Sequence, residues 1–185
     1  MKNRRARLGN RRYIRAVNGV EVLVLHGSPG SGKTTLSRAV AELLRAADTA
    51  NAVIDLDDLS KIYPDPGRWF ARDNLKAVWP NYAAVPRLKV VIPSVIADEQ
   101  EREELRAAVS GARFVVCELT APEAVLKNRV TAREPNEYWQ RRLREFVDLY
   151  HRRTDLTRIR DFQVETYRRS PEDAAREVVD KAGWS

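Results

Sequence analysis

Nine residues, HGSPGSGKT from His26 to Thr34, constrain the fold of this chain more than any other feature. Gly27, Gly32, Lys33 and Thr34 satisfy the spacing G-x-x-x-x-G-K-[ST], and Gly30 adds a further glycine. Glycines let the backbone curl until successive N–H groups point inward, which makes a concave cradle for an anion. The run VEVLVLH (Val20 to His26) precedes the loop and reads as a buried parallel strand. Lys33 to Ala47 follows, with Leu36, Val40, Leu43 and Leu44 at helical spacing. A helix that begins at Lys33 directs its positive end at the same anion. The expected ligand is a nucleoside triphosphate, held by Gly27, Ser28, Pro29, Gly30, Ser31, Gly32, Lys33, Thr34 and Thr35. Lys33 supplies charge to the β- and γ-phosphates and Thr34 a hydroxyl to Mg²⁺.

A strand, a phosphate loop and a helix need a sheet to sit in, and the rest of the chain supplies one. NAVIDLDDL reads as a second strand ending in carboxylates, LKVVIPSVIA (Leu88 to Ala97) as a third, ARFVVCELT as a fourth and RDFQVET as a fifth. Helical patterns separate them: DEQEREELRAAV, a long region from Pro122 to about Arg153 broken at Glu134-Pro135-Asn136, and SPEDAAREVVDKA capped by Ser170. Pro64, Pro66, Pro80 and Pro86 are expected to interrupt any long element between residues 60 and 87. Alternation of this kind predicts an α/β fold, a mostly parallel sheet with helices on both faces. At 185 residues it fits one domain, residues 20–185, behind an extension at 1–19.

The net charge of +7 resides in that extension: seven Lys or Arg and no acid fall in the first fifteen residues, leaving 26 basic against 26 acidic residues. A neutral body argues against a long nucleic-acid groove, so RNA binding through the tail is the less favoured reading. No apolar run is long enough to span a bilayer, and a single cysteine, Cys117, excludes an internal disulfide. A cytoplasmic chain, monomeric or homodimeric and without a membrane partner, is expected.

Two further clusters bear on where a phosphate would go. Asp55 and Asp57 end the second strand and, two apart, would lie on the same side of it. One could hold Mg²⁺ through water while the other accepts a proton from an attacking hydroxyl. Arg129 and Arg133 are four apart on one helical face, followed by the break at Glu134, and are expected to belong to a lid over residues 129–142. Arginines so placed can neutralise charge developing on a transferring phosphoryl group, and closure excludes water.

Together GSPGSGKT, VIDLDD and the pattern L-x-x-R-V-x-x-R (Leu126 to Arg133) resemble the small P-loop kinases of the nucleoside-monophosphate-kinase fold. Gluconate kinase, shikimate kinase, adenylylsulfate kinase and chloramphenicol phosphotransferase are the closest members. The resemblance spans roughly residues 20 to 182 and implies a five-stranded parallel sheet of order 2-3-1-4-5 with a helical lid. It assigns Asp55 to the magnesium shell, Asp57 to the acceptor hydroxyl as base, Arg129 to the adenine and Arg133 to the phosphates. The segment TYRRSPEDAAREVV is similar to the loop and helix beside the adenine, which brings in Arg168. The chain departs from shikimate kinase in having IPSVIA where that enzyme has substrate glycines, and it lacks the gluconate kinase lid residues beyond the arginine pair.

In this fold the insert between the second and third strands, here about residues 59–87, forms the acceptor pocket. Its aromatic residues Tyr63, Trp69, Phe70, Trp79 and Tyr82 suit stacking on a ring. Arg72, Asn74 and Trp79, with Asp57, are the expected acceptor contacts; Trp139, Arg141 and Arg142 are further candidates. The expected activity is ATP- and Mg²⁺-dependent transfer of the γ-phosphoryl group to a hydroxyl of a sugar, a nucleoside or an antibiotic-like cyclic alcohol. GTP as donor stays open. The alternatives are a polynucleotide 5′-hydroxyl kinase or RNA-modifying enzyme, a toxin-like nucleotide-sugar kinase, and a switch that only hydrolyses.

Overall fold

The computed structural model describes residues 19–184, so the basic tail expected at residues 1–15 lies outside the described residues. Five strands, β1 (Glu21–His26), β2 (Asn51–Val53), β3 (Lys89–Pro93), β4 (Arg113–Thr120) and β5 (Phe162–Glu165), form one sheet. They pair in parallel in the order β2-β3-β1-β4-β5, the order the sequence resemblance implies. Among the described residues seven α-helices connect and cover them: α1 (Lys33–Ala46), α2 (Arg68–Ala83), α3 (Glu99–Ala108), α4 (Glu123–Arg133), α5 (Glu137–His151), α6 (Leu156–Ile159) and α7 (Pro171–Ala182). Among the described residues no helix is long and apolar enough to cross a membrane.

The continuous apolar run of β1 follows from burial on both faces. Val22 and Val24 point to one side, where they meet Leu75 and Trp79 of α2 and Leu105 of α3. Leu23 and Leu25 point to the other and pack with Leu36, Val40 and Leu44 of α1 and Ala175 and Val178 of α7. Because β1 is central, between β3 and β4, the sheet direction of the connections reverses beside it. Ligands of open α/β sheets bind at such a switch, beyond the carboxyl ends of the strands. The loop after His26 emerges there.

Three local expectations are corrected. The second strand ends at Val53, and one further ladder bond, from Ile54 N to Val91 O at 3.0 Å, closes it. Asp55 and Asp57 therefore do not sit on an extended strand. The Asp57 amide donates to Asp55 Oδ1 at 3.0 Å and the Asp58 amide to Asp55 O at 3.2 Å, folding the acids into a turn that opens a 3₁₀ segment, Asp58–Ser60. Aspartate side chains that bond the backbone two residues on compete with strand pairing in this way.

The prolines of the insert do not prevent a long element either: α2 runs for 16 residues with Pro80 inside it. Pro80 falls within the last turn, and both it and Lys76, whose carbonyl loses its helical partner, are exposed to water. The third correction concerns Trp79, expected at the acceptor. It is 4% exposed in the core, and its indole N–H donates to Ser110 O at 3.0 Å. Trp79→Phe should cost about 1–3 kcal/mol in equilibrium denaturation, through the lost bond and the smaller ring. The KM for any acceptor should be unchanged within error; a KM shift would restore Trp79 to the binding surface.

Candidate active site

The loop is shaped by what surrounds it. A Cβ on Gly27 would come within 2.7 Å of both Leu119 O and Ser31 Oγ, and one on Gly30, at φ +79°, within 2.9 Å of Leu126 O. These two glycines thus allow β4 and α4 to close on the loop from one side. Gly32 caps α1 with no side-chain acceptor, so the first amides of that helix, on Lys33, Thr34 and Thr35, have no helical partner. Lys33 Nζ folds back to donate to Gly27 O at 2.9 Å and Ser28 O at 3.1 Å. Burial, offset by the charges of Asp57 and Asp55, brings its pKa down to about 8. Ser28 Oγ and Ser31 Oγ are buried with no partner among the described residues. Unpaired amides, orphaned hydroxyls and a poorly solvated ammonium fit a phosphate chain.

A crevice of about 310 Å³ opens from this loop. Pro29, Gly30, Gly32, Lys33, Thr34 and Thr35 of the loop line it together with Asp55, Asp57 and Ser60 of the acidic turn, Arg68 and Arg72 with their partner Glu101, and Ser94, Arg133 and Leu143. The carboxylates and the loop thus share one rim, although the turn rather than strand alternation aligns them. Burial, together with the charges of Asp57 and Asp58, raises the pKa of Asp55, a condition that a bound cation relieves.

The arginine pair separates. Arg133, exposed at the end of α4, lines the crevice. Arg129 is pinned: Nη1 donates to Gly30 O at 3.2 Å and Thr166 Oγ1 at 3.1 Å, and Nη2 to Thr166 O at 3.0 Å. It bridges the phosphate loop to the segment after β5. There a second hollow of about 260 Å³ is lined by Gly30, Thr35, Arg129, Arg133, Thr166, Arg169, Ser170 and Pro171. Arg168 is not part of it. At φ +55° it turns back over the Tyr167 ring, and its neighbour Arg169 lines the hollow instead.

The insert contributes less than expected. Arg72 lines the crevice, whereas Asn74 Nδ2 donates to Leu59 O at 2.7 Å and ties α2 to the acidic turn. None of the aromatic residues between 59 and 87 lines the crevice, and neither do Trp139, Arg141 or Arg142. Arg68, one of the polar residues of the insert, also lines the crevice, whereas Ser94 and Glu101 were missed by sequence reasoning. Glu101 sits in DEQEREELR, where it looks like any acid on a solvated helix, and no local pattern marks it.

The family model described as an AAA domain matches residues 22–156. A shikimate kinase from Salinispora tropica is 31% identical over 166 residues, covering 85% of this chain and 95% of that protein. This chain belongs to the P-loop kinase family of the AAA domain. Among solved structures, Mycobacterium tuberculosis APS kinase in complex with AMPPNP and APS superposes with a TM-score of 0.64 at 20% identity, covering 88% of this chain and 96% of the other. A gluconokinase from Sinorhizobium meliloti gives 0.61 at 22% identity, with 91% and 94% covered.

Beneath the loop this P-loop kinase carries a buried polar chain. The Ile96 amide donates to His26 Nδ1 at 3.0 Å, so the ring proton sits on Nε2, 2.9 Å from Tyr150 Oη. Tyr150 Oη donates to Glu118 Oε1 at 3.0 Å, and Arg160 pairs with the other carboxylate oxygen. The chain links β1, β4 and α5 directly under Gly27. Burial first, then the charges of Arg153 and Lys33, brings the His26 pKa from 6.5 down to about 3. The unfolded chain binds this proton below pH 6.5 and the folded one does not until about pH 3. Stability should therefore fall on acidification through that window, by about 1.4 kcal/mol per pH unit. His26→Gln, which cannot titrate, should show a shallower dependence between pH 6 and pH 4 in urea titrations; parallel slopes would contradict the neutral ring.

Proposed function

We propose that this protein transfers the γ-phosphoryl group of ATP to a hydroxyl of a small molecule, with Mg²⁺ as the accompanying cation. The observation that carries the reading is the shared crevice, whose lining joins Lys33 and the loop to Asp57, near enough for its charge to act on the Lys33 ammonium. Phosphates bound along the loop would place the terminal group toward the acidic turn. Magnesium would be held by Thr34 and Asp55 and would neutralise charge on the phosphate oxygens. Lys33 would exchange its two loop carbonyls for β- and γ-oxygens. Arg129, fixed between Gly30 and Thr166, would lie along the base and ribose, and Arg133 would approach the transferring group.

An acceptor hydroxyl beside Asp57 would attack the γ-phosphorus as the bond to the bridging oxygen of the diphosphate breaks. Its proton would pass to the Asp57 carboxylate, leaving a phosphate ester and ADP. Asp57 is exposed and its amide is tethered to Asp55, so the carboxylate is oriented yet reachable. Two features favour transfer over simple hydrolysis: the crevice is lined by Arg68 and Arg72 of α2 as well as by the loop and the acidic turn, and the relatives reported above are named as kinases.

The decisive experiment incubates the protein with labelled ATP, Mg²⁺ and a panel of alcohols, and reads phosphorylated products by mass spectrometry. Lys33→Ala should weaken nucleotide binding at least about tenfold, the worth of one charge-assisted contact. Asp57→Asn should lower kcat by about 10²–10⁴ while the nucleotide Kd stays within about threefold. Transfer at near wild-type rate in the Asp57 variant would remove it from the role of base.

A further inference from the structure

The acceptor end of the crevice has its own electrostatic design, centred on Glu101. This side chain, in a residue only 7% exposed, receives four donors: Arg68 Nε at 2.9 Å, Arg68 Nη2 at 2.7 Å, Arg72 Nη1 at 2.9 Å and the Ala97 amide at 2.6 Å. Arg72 is engaged from its other side as well, Nη2 lying 2.8 Å from Glu104 Oε2. The two arginines that face the acceptor space are thus neutralised by the protein's own carboxylates. A buried carboxylate with four donors does not release them cheaply, since removing its partners leaves an unpaired charge out of water.

The charge balance of the whole crevice follows. Lys33, Arg68, Arg72 and Arg133 line it against Asp55, Asp57 and Glu101. A magnesium triphosphate brings about two further negative charges and absorbs the fields of Lys33 and Arg133. With Asp55 turned to the cation, what is left around the acceptor is Arg68 and Arg72 against Asp57 and Glu101, backed by Glu104 behind Arg72: a space with no net positive charge, whose arginine N–H groups are held as hydrogen-bond donors rather than as free cations. Its apolar lining is aliphatic, Leu56, Ala71, Pro93, Val95 and Leu143, with no aromatic ring to stack on. An anionic acceptor would have to displace Glu101 or sit beside it; an aromatic acceptor would find no platform.

We propose that the acceptor is an uncharged, saturated polyol, and that Glu101 sets this selectivity by occupying the Arg68–Arg72 pair that would otherwise hold an acid. The proposal rests on the phosphotransferase reading of the same crevice and narrows it to one chemical class. Hydroxyl oxygens would accept from the remaining arginine N–H groups, among them Arg68 Nη1, which has no partner among the described residues. Ser60 and Ser94 would complete the polar contacts, and Asp57 would face the hydroxyl to be phosphorylated.

The test uses sugars that differ at one carbon, a hydroxymethyl group in one and a carboxylate in the other: D-glucose against D-glucuronate and D-galactose against D-galacturonate. Calorimetric titration into the full chain with Mg²⁺ and a non-hydrolysable ATP analogue reads binding; mass spectrometry with ATP reads transfer. The neutral member of each pair should bind at least tenfold more tightly. Glu101→Gln, which keeps the shape of the side chain and frees the arginines, should shift the ratio at least tenfold toward the uronate. Glu104→Gln, at a half-exposed position, should shift it in the same direction by less, and it serves should the first variant fold poorly. Uronate binding to the wild type at or below the hexose Kd, or no gain of uronate affinity in either variant, overturns the proposal. Failure to phosphorylate any member, with ATP binding intact and the charge preference present, counts against the phosphotransferase reading alone.

Discussion

Everything at this site depends on how closely the backbone of residues 27–32 can be approached. β4 reaches Gly27 through the Leu119 carbonyl and α4 reaches Gly30 through the Leu126 carbonyl, at separations that a single methyl group would close. Leu126 and Val130 of α4 are buried, and Arg129 one turn along bonds to Gly30 O and Thr166. The loop is therefore gripped by β4, α4 and the segment after β5, all of them far along the chain from it. Apart from the Ser31 amide, which donates to Ser28 O at 3.1 Å, the loop conformation is fixed by packing, which leaves amides free as preorganised anion binding requires. The same grip explains why Arg129 and Arg133, alike in sequence, separate. Arg129 points at the loop and helps to hold it; Arg133, at the end of the helix, keeps its head in the crevice.

The parts of this molecule that sequence makes legible are those whose signal is local. The strand before the loop, the glycines, Lys33 and the cap at Ser170 each depend on neighbours within a few residues, so spacing suffices to find them. Strand order is not local. It was implied only by the resemblance that the loop, VIDLDD and the leucine-arginine pattern carry together. Asp55 and Asp57 were found for a reason that proved incomplete: they share a rim because Asp55 accepts the Asp57 amide in a turn, not because strand alternation aligns them. Trp79 misled because an aromatic residue among polar ones looks the same whether its indole faces a ligand or the Ser110 carbonyl. Glu101 was invisible for the converse reason. Its partners lie 29 and 33 residues away on another helix, and only the packing of α3 against α2 brings them together.

The buried chain under the loop illustrates a different tension. His26, Tyr150 and Glu118 are 0%, 5% and 2% exposed, in positions where aliphatic side chains would fill the volume without a desolvation cost. Each polar atom of the chain has a partner, so the cost is offset, but the arrangement tolerates little displacement. A hydrogen-bonded chain specifies distances to a few tenths of an ångström, whereas an aliphatic contact can slide. The residue after His26 is Gly27, where less than an ångström decides whether the loop fits against β4. A directional network at that point holds the strand end and α5 in register.

The two halves of the crevice obey opposite electrostatic rules. At the phosphate end cations outnumber their partners: Lys33 is held only by carbonyl oxygens, and Arg133 forms no ion pair among the described residues. At the acceptor end every cation has a carboxylate, Arg68 and Arg72 sharing Glu101 and Arg72 also meeting Glu104. A polyanion entering the crevice would thus be drawn to one end only, and on the proposed phosphotransferase reading the orientation of donor relative to acceptor would be decided before either made a close contact. If both ends were equally basic, a triphosphate could bind across the acidic turn and place its terminal group beyond Asp57. Pairing the second set of arginines would remove that register. The ion pairs of the acceptor end, which contribute little to stability at the partly exposed Arg68, accordingly matter most for what they prevent.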